Sequence, residues 1–138
     1  MTSSSPATTF AASGEPRSAD LHNGAIEMKG LEVIMQASRK IPRAIADVIA
    51  RHGLTPADIG VFLMHQANLN LIKKVAAALK VSEEKFFVNI ERYGNTSSAS
   101  LLIAAAEWWG AGVKVEAPVV LAAFGAGFTW GAVLVHPA

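Results

Sequence analysis

Residues 59–79 read IGVFLMHQANLNLIKKVAAAL, and this stretch decides the fold class. Its first six residues are almost all apolar, which is typical of a short strand that is buried on both faces of a sheet. From residue 69 onward the apolar residues recur at helical spacing, and two lysines fall between them on a solvated face. The stretch therefore predicts a buried strand that passes directly into an amphipathic helix.

The residues before this stretch predict a strand and a long helix. A short strand at residues 25–28 precedes an approximately helical pattern of apolar residues at 31–49, and Gly53 ends that helix as a C-terminal cap. Pro42 lies inside the pattern, and we expect it to kink or split the helix because proline lacks the amide donor and clashes with the preceding turn. Thr55, followed by proline, predicts one helical turn before the strand.

The residues after this stretch predict a third long helix and two final strands. An extended segment at residues 86–90 leads to a loop, and the Ala- and Leu-rich residues 97–109 predict a mostly buried helix. Strands follow at 119–124 and 128–135, and they are antiparallel because a short glycine-rich turn joins them. Strands that alternate with long helices predict an α/β layer structure with a mixed sheet.

Residues 117–138 carry no charged side chain other than a histidine and are long enough to cross a bilayer of roughly 30 Å. Gly125, Gly127 and Gly131 interrupt the run, however, and it divides into two short β-branched segments. It therefore predicts two buried strands rather than a membrane span.

The composition excludes several classes of function. The net charge of +1 comes from interspersed basic and acidic residues, so no basic stripe for nucleic acid is present. The chain has no cysteine, which removes disulfides and thiol nucleophiles and fits a cytoplasmic protein without a secretory signal. Residues 1–20 are rich in Ser, Thr, Ala and Pro and predict a flexible leader, and residues 21–138 form the predicted domain.

Three segments are candidates for chemistry. His65 follows the buried strand, where side chains commonly face a site; hydrogen bonding to neighbouring backbone is the alternative interpretation for a lone histidine. Residues 94–100, GNTSSAS, open a buried helix whose free N–H groups could serve either as a cap or as a binding site. Residues 124–131, FGAGFTWG, allow close approach of backbone to a ligand or a tight hairpin turn.

Together, in this order and spacing, the three segments resemble the C-terminal half of β-ketoacyl-acyl carrier protein synthase III, a member of the thiolase-like superfamily. The resemblance runs from about residue 20 to residue 135. It implies a thiolase-like half-domain with a mixed β-sheet flanked by helices. It also implies substrates that are carried as thioesters on coenzyme A or acyl carrier protein, with no further cofactor.

The resemblance assigns the catalytic roles. A cysteine from the N-terminal half, absent here, attacks an acyl thioester in that family, and a histidine and an asparagine bind the malonyl thioester carbonyl. The matching residues are His65 and Asn95. Two neutral N–H donors at about 3 Å would stabilise an enolate oxygen, so His65 must be the neutral tautomer.

Further roles follow from the same resemblance. Phe124 lines the site and orients the donors, and a backbone N–H within Gly125, Ala126 and Gly127 forms half of a second oxyanion hole. The residues implied in binding the carrier or coenzyme A arm are Gly30, Ala67 and Asn68.

Two positions depart from the family pattern. Leu31 and Asn70 stand where bacterial relatives often have a polar residue and an arginine that bind the pantetheine-phosphate carrier, and Lys73 and Lys74 are possible substitutes. The remaining histidines have no such partners and are expected in the leader or at the surface, and no metal site is predicted; these residues are His22, His52 and His136.

The sequence leaves three interpretations of function open. The chain is an acyltransferase component that pairs with a separate N-terminal half, or an isolated and catalytically incomplete domain, or a binding module for carrier thioesters that associates with itself through an exposed apolar face. In each case the chain alone is expected to be inactive in condensation because it lacks the nucleophile.

Overall fold

Four β-strands and four α-helices form the part of the chain that the computed structural model describes, residues 29–114 and 116–136. The helices are α1 (Gly30–Ala50), α2 (Leu69–Leu79), α3 (Ile90–Tyr93) and α4 (Ala99–Gly110), and the strands are β1 (Val61–Met64), β2 (Phe86–Phe87), β3 (Val119–Gly125) and β4 (Thr129–Val135). The predicted leader, residues 1–20, and the predicted strand at 25–28 lie outside the described residues.

The four strands form one mixed sheet in the order β2-β1-β3-β4. β1 is parallel to both of its neighbours, and Phe62 pairs with Phe86 on one side and Val120 on the other. β3 and β4 are antiparallel along their whole length. The α/β class, the mixed sheet and the antiparallel final pair are thereby confirmed, and the charge-poor C-terminal run forms two strands.

Helices cover the two faces of the sheet unequally. Phe62 and Val120 face the side on which α1 and α2 pack, and this side holds the larger group of buried residues. Leu63 and Val119 face the other side, where Ala105 and Trp108 of α4 cover them. All four residues of β1 are buried, as expected for a central parallel strand. The sheet therefore lies between two layers of helix.

The first helix is continuous through Pro42, so the expected split is wrong. Ile41 and Ile45, on either side of the proline, are both fully buried, and their packing holds the two parts of the helix together. The cap at Gly53 is confirmed: its φ is +69°, and the N–H of Leu54 donates to the carbonyl oxygen of Ile49 at 3.3 Å.

The segment between α2 and α4 differs from the prediction. The expected extended run at 86–90 is limited to β2, because the backbone N–H of Asn89 donates to the side chain of Gln66 instead of to a strand. The short helix α3 follows. The last helix begins at Ala99 rather than at Ser97, whose φ of +57° lies in the left-handed region and is incompatible with a right-handed helix.

Part of the apolar surface remains uncovered. Leu102 and Trp109 on α4 are 68% and 50% exposed. Beside α4, an apolar groove lies over β3 and β4; it is formed by Leu101, Leu121, Ala123, Trp130 and Val133. Within the described residues, no helix combines the length and the apolar character needed to cross a membrane.

Candidate active site

An open cavity of about 960 Å³ lies at the carboxyl ends of β1 and β3, beside the first turns of α1. Such an edge of a parallel sheet is where α/β proteins commonly bind ligands. All nine residues that the sequence predicted for the site line this cavity: His65, Asn95, Phe124, Gly125, Ala126, Gly127, Gly30, Ala67 and Asn68. The three candidate segments therefore meet in one place.

His65 is anchored to the end of the sheet. Its backbone N–H donates to the carbonyl oxygen of Ala122 at 2.9 Å, and its ring meets the ring of Phe124 edge-to-face with 5.2 Å between centroids. Burial lowers the pKa of the His65 imidazole below its ordinary value of 6.5, because the charged form loses hydration there. The ring is therefore neutral at neutral pH, as the predicted role requires.

The Nδ1 atom of His65 is hydrogen-bonded to the hydroxyl of Ser100 on the first turn of α4. The same hydroxyl oxygen accepts from the backbone N–H of Gln66 at 3.1 Å. Ser100 was not among the predicted site residues. Its signal in the sequence is its spacing: it shares a helical face with Ala104 and Trp108, both buried, so its hydroxyl needs a partner in the interior.

Gln66 ties the ends of β1 and β2 together. Its side-chain amide nitrogen donates to the carbonyl oxygens of Met64 at 2.8 Å and Phe87 at 3.2 Å, and its side-chain oxygen accepts from the backbone N–H of Asn89 at 3.1 Å. The side chain is 1% exposed, so no solvent would replace these bonds. Gln66 was also not among the predicted site residues, because in the sequence it is one of several residues between a predicted strand and a predicted helix.

Asn95 lies in the exposed loop before α4. Its side-chain oxygen accepts from the backbone N–H of Ser97 at 2.9 Å. This bond orients the carboxamide and leaves its NH₂ group without an acceptor among the described residues. Gly94, with a φ of +65°, makes the turn that presents Asn95 to the cavity. The amide is thus available to donate to a ligand.

A polar cluster that runs from the buried Asn89 to the surface holds the segment that leads to Asn95. The carboxylate of Glu107 on α4 accepts from Asn89 Nδ2 at 2.8 Å, from both terminal nitrogens of Arg92 at 2.9 and 2.8 Å, and from the Tyr93 hydroxyl at 2.8 Å. These hydrogen bonds, that of Asn89 first, lower the pKa of Glu107, and the bond to Glu107 raises the pKa of Tyr93. The cluster fastens α3 to α4.

The hairpin between β3 and β4 forms one wall of the cavity. The Phe124 and Phe128 rings stack at 5.9 Å between centroids. Gly127 has a φ of +132°, and a Cβ atom added there would lie 2.7 Å from the Thr129 hydroxyl oxygen. Only glycine fits this turn without strain, which keeps the hairpin backbone open to the cavity.

The α1 and α2 side of the cavity contains the residues predicted to bind the carrier arm. Asn68 caps α2, since its side-chain oxygen accepts from the backbone N–H of Asn70 at 2.9 Å and of Leu71 at 3.3 Å. Among residues 29–114 and 116–136 its amide nitrogen has no acceptor. Gly30 and Ala67 add small surfaces to the same wall.

Neither Lys73 nor Lys74 lines the cavity. The Lys73 ammonium lies 3.8 Å from the carboxylate of Glu83, in an exposed pair. The cations that do line it are Lys29 and Lys40, and the Lys40 ammonium lies 4.0 Å from the ring centroid of Trp130. In residues 29–114 and 116–136 no three acidic or histidine side chains lie close enough to hold a metal ion.

Known proteins are similar to this chain in sequence and in fold. Residues 49–136 match the family model described as 3-oxoacyl-[acyl-carrier-protein] synthase III C terminal. The β-ketoacyl-[acyl-carrier-protein] synthase III of Nitratidesulfovibrio vulgaris (Miyazaki F) is 42% identical over 126 residues, which are 91% of this chain and 37% of the relative. That of Clostridium tetani is 44% identical over 84% of this chain and 35% of its own length.

Solved structures agree. The crystal structure of 3-oxoacyl-[acyl-carrier-protein] synthase III from Aquifex aeolicus superposes with a TM-score of 0.79 at 40% identity, over 83% of this chain and 37% of that one. The chain spans little more than a third of the length of these relatives. The family model nevertheless covers the three segments of the cavity, and the chain therefore belongs to the C-terminal domain family of 3-oxoacyl-[acyl-carrier-protein] synthase III, within the thiolase-like condensing enzymes.

Proposed function

We propose that this chain is the C-terminal component of a 3-oxoacyl-acyl carrier protein synthase III-type acyltransferase, with residues 21–138 as its domain. It supplies His65 and Asn95 for the decarboxylative Claisen condensation of an acyl thioester with malonyl-acyl carrier protein, in fatty-acid or polyketide-type synthesis. The observation that carries the proposal is that these two donors, from separate segments of the chain, line one cavity with the glycine-rich hairpin.

The chemistry needs hydrogen-bond donors at one oxygen. Decarboxylation breaks the bond between the malonyl carboxylate and the α-carbon, and the electron pair moves into the thioester as an enolate. The N–H of neutral His65 and the NH₂ of Asn95 would both donate to the enolate oxygen as its charge develops. One such donor is worth about 2.7–4 kcal/mol of transition-state stabilisation in enzymes where it has been removed.

The next step needs groups that this chain does not contain. The enolate carbon attacks the carbonyl carbon of an acyl group carried on a cysteine, the new carbon–carbon bond forms, and the cysteine leaves as a thiolate. This chain has no cysteine, so the nucleophile must come from an N-terminal half. A backbone N–H within Gly125, Ala126 and Gly127 would stabilise the oxyanion of that acyl group.

The surface of the chain supports such a partner. The apolar groove over β3 and β4 continues the wall formed by Phe124 and Gly125, which line both the groove and the cavity. Leu102 and Trp109 extend the exposed apolar surface along α4. A half-molecule seated there would cover apolar area and bring its cysteine to the open side of the cavity.

The same surface supports a second candidate function. A catalytically incomplete domain, or a module that binds carrier thioesters and associates with itself through this groove, would have an identical apolar face and the same absence of cysteine. The two candidates differ in what they do with a cysteine-bearing partner.

The deciding experiment combines the purified chain with a candidate N-terminal half from the same source. Light scattering gives the stoichiometry, and release of labelled carbon dioxide from malonyl-acyl carrier protein is followed together with formation of the condensed product. A one-to-one complex that forms product supports the acyltransferase component. A self-associated species that ignores the candidate half supports the binding module and contradicts the proposal.

Variants test the two donors within that complex. His65→Ala and Asn95→Ala are expected to lower turnover by about 10²–10³-fold each, because each removes one donor from the enolate. His52→Ala is the matched control, since His52 is exposed and lies outside the cavity. Full turnover in either site variant would contradict the assignment of the donors.

A further inference from the structure

The hydrogen-bond donor of His65 depends on which of its two ring nitrogens carries the proton. A neutral imidazole has one N–H group, and the atom that lacks the hydrogen can only accept. If Nε2 carries the proton, Nδ1 needs a donor as its partner. The partner of Nδ1 is the Ser100 hydroxyl, so the direction of this one hydrogen bond determines the tautomer.

The direction follows from an account of the Ser100 hydroxyl. The backbone N–H of Gln66 can only donate, so at 3.1 Å it uses one lone pair of the Ser100 oxygen. The hydroxyl hydrogen must then find an acceptor, because Ser100 is 2% exposed and water does not reach it. Among the described residues its one acceptor is Nδ1 of His65.

We propose that Ser100 is a positioning residue that donates to Nδ1 of His65 and thereby keeps the proton on Nε2, the nitrogen that donates to the substrate oxygen. This inference rests on the proposed function for its catalytic meaning, whereas the hydrogen bond itself is a property of the chain alone. A junction between β1 and α2 places the histidine, and the first turn of α4 selects its tautomer.

The arrangement also links two candidate segments that are far apart in the sequence. Ser100 belongs to the same GNTSSAS segment that carries Asn95, so the loop before α4 presents one donor and the first turn of α4 sets the protonation of the other. The backbone N–H of Gln66 adds a second anchor to the Ser100 oxygen and fixes the rotation of the hydroxyl. One short segment of the chain therefore acts on both donors.

The first test is made on the full 138-residue chain without substrate. Long-range proton–nitrogen NMR spectra of the ¹⁵N-histidine-labelled chain distinguish a protonated from an unprotonated ring nitrogen, and the His65 signals are identified by their loss in His65→Gln. We expect a hydrogen on Nε2 and none on Nδ1 in the native chain. A hydrogen on Nδ1 overturns the proposal whatever the activity measurements show.

The variant Ser100→Ala tests whether the tautomer of His65 depends on the Ser100 hydroxyl. Without the hydroxyl, the Nδ1 resonance is expected to shift and a second tautomer to become populated. Ser98→Ala is the matched control: Ser98 precedes the same helix, is exposed, and makes no capping hydrogen bond with its side chain. Unchanged His65 resonances in a folded Ser100→Ala chain contradict the proposal.

The activity readout in the reconstituted complex separates positioning from folding. We expect Ser100→Ala to lower kcat by about 10–100-fold with little change in KM, as for other residues that orient a catalytic group. Ser100→Thr keeps the hydroxyl and is expected to restore most of kcat. If Ser100→Ala does not fold, the native spectrum and Ser100→Thr still decide. If the His65 tautomer changes in Ser100→Ala but His65→Ala remains active in the complex, the hydrogen bond is supported and the proposed function is contradicted.

Discussion

The two proposed donors are held in different ways. His65 is half-buried, its backbone continues the sheet through Ala122, and its ring is bonded to the buried Ser100. Asn95 lies in an exposed loop, oriented by one bond to the Ser97 backbone. The polar cluster around Glu107 fastens the chain before it. Buried contacts therefore orient His65, whereas contacts at or near the surface orient Asn95.

Because of this difference, substitutions of the two donors should have similar effects on activity but different effects on stability. A group whose partners are buried affects folding when it is removed, because the partners it leaves behind cannot bond to water. Removal of a group whose partners are exposed costs little stability, since water replaces the lost hydrogen bond. Substitution of His65 is therefore expected to lower the stability of the core, whereas substitution of Asn95 is expected to have little effect on stability.

The largest expected effect tests that separation directly. His65→Ala and Asn95→Ala should lose similar turnover in the complex, about 10²–10³-fold. In the chain alone, urea denaturation should show a loss of about 1–3 kcal/mol in the free energy of unfolding for His65→Ala, because the Ser100 hydroxyl loses its acceptor. Asn95→Ala should change it by less than about 0.5 kcal/mol. Equal destabilisation by both would remove the distinction.

A comparable loss of stability without contact to substrate is expected at Gln66. Gln66→Ala leaves the Asn89 N–H and the carbonyl oxygens of Met64 and Phe87 without their partners in the interior. We expect the free energy of unfolding to fall by about 3 kcal/mol in urea denaturation. Gln36→Ala, at an exposed position on α1, is the control. A loss below about 1 kcal/mol would show that the junction tolerates unpaired groups.

The third prediction concerns pH. Burial lowers the pKa of folded His65 below 6.5, so below about pH 6.5 the unfolded chain binds more protons than the folded chain. The contribution is fully present above that pH and is lost as the pH falls through the folded pKa. Wild type should therefore lose more stability than His65→Gln between about pH 7 and 5. His52→Gln is the control for loss of an imidazole. If the free energy of unfolding of wild type and of His65→Gln changes in parallel with pH, the prediction is contradicted.

The smallest effect is expected at Glu107. Glu107→Gln weakens the bonds to Arg92 and Tyr93 but keeps a polar side chain at a partly exposed site, so the free energy of unfolding should change by less than about 1 kcal/mol. Turnover in the complex should fall only a few-fold, because the loop that carries Asn95 becomes less ordered. Glu84→Gln, an exposed carboxylate away from this cluster, is the control.

Much of the fold was predictable because its signals are local. Continuous apolar character identified β1, helical spacing identified α2, and Gly53 marked the end of α1. The errors arose where tertiary contacts override local preference. Pro42 stays inside one helix because Ile41 and Ile45 are packed in the core, and the strand after α2 ends early because Gln66 takes the N–H of Asn89.

The residues that the family resemblance implies for the site all line one cavity. His65, Asn95 and the Phe124 hairpin form short motifs whose order and spacing are visible in one sequence. Ser100 and Gln66 act through hydrogen bonds across 35 and 23 residues of chain; helical spacing marks Ser100 as buried, but it does not identify the partner of either residue. The assigned roles of the cavity residues remain predictions for the experiments above.

The central position of β1 has a consequence for how the chain folds. The β3–β4 hairpin and the helices can form from neighbouring residues, and β1 can pair with the nearby β2, but β1 joins the hairpin only when Phe62 meets Val120, which closes a loop of about 60 residues. Contacts between such distant residues slow folding more than local ones do. His65 follows β1 directly, so the cavity should be among the last features to assemble, after the hairpin wall and α4 already exist.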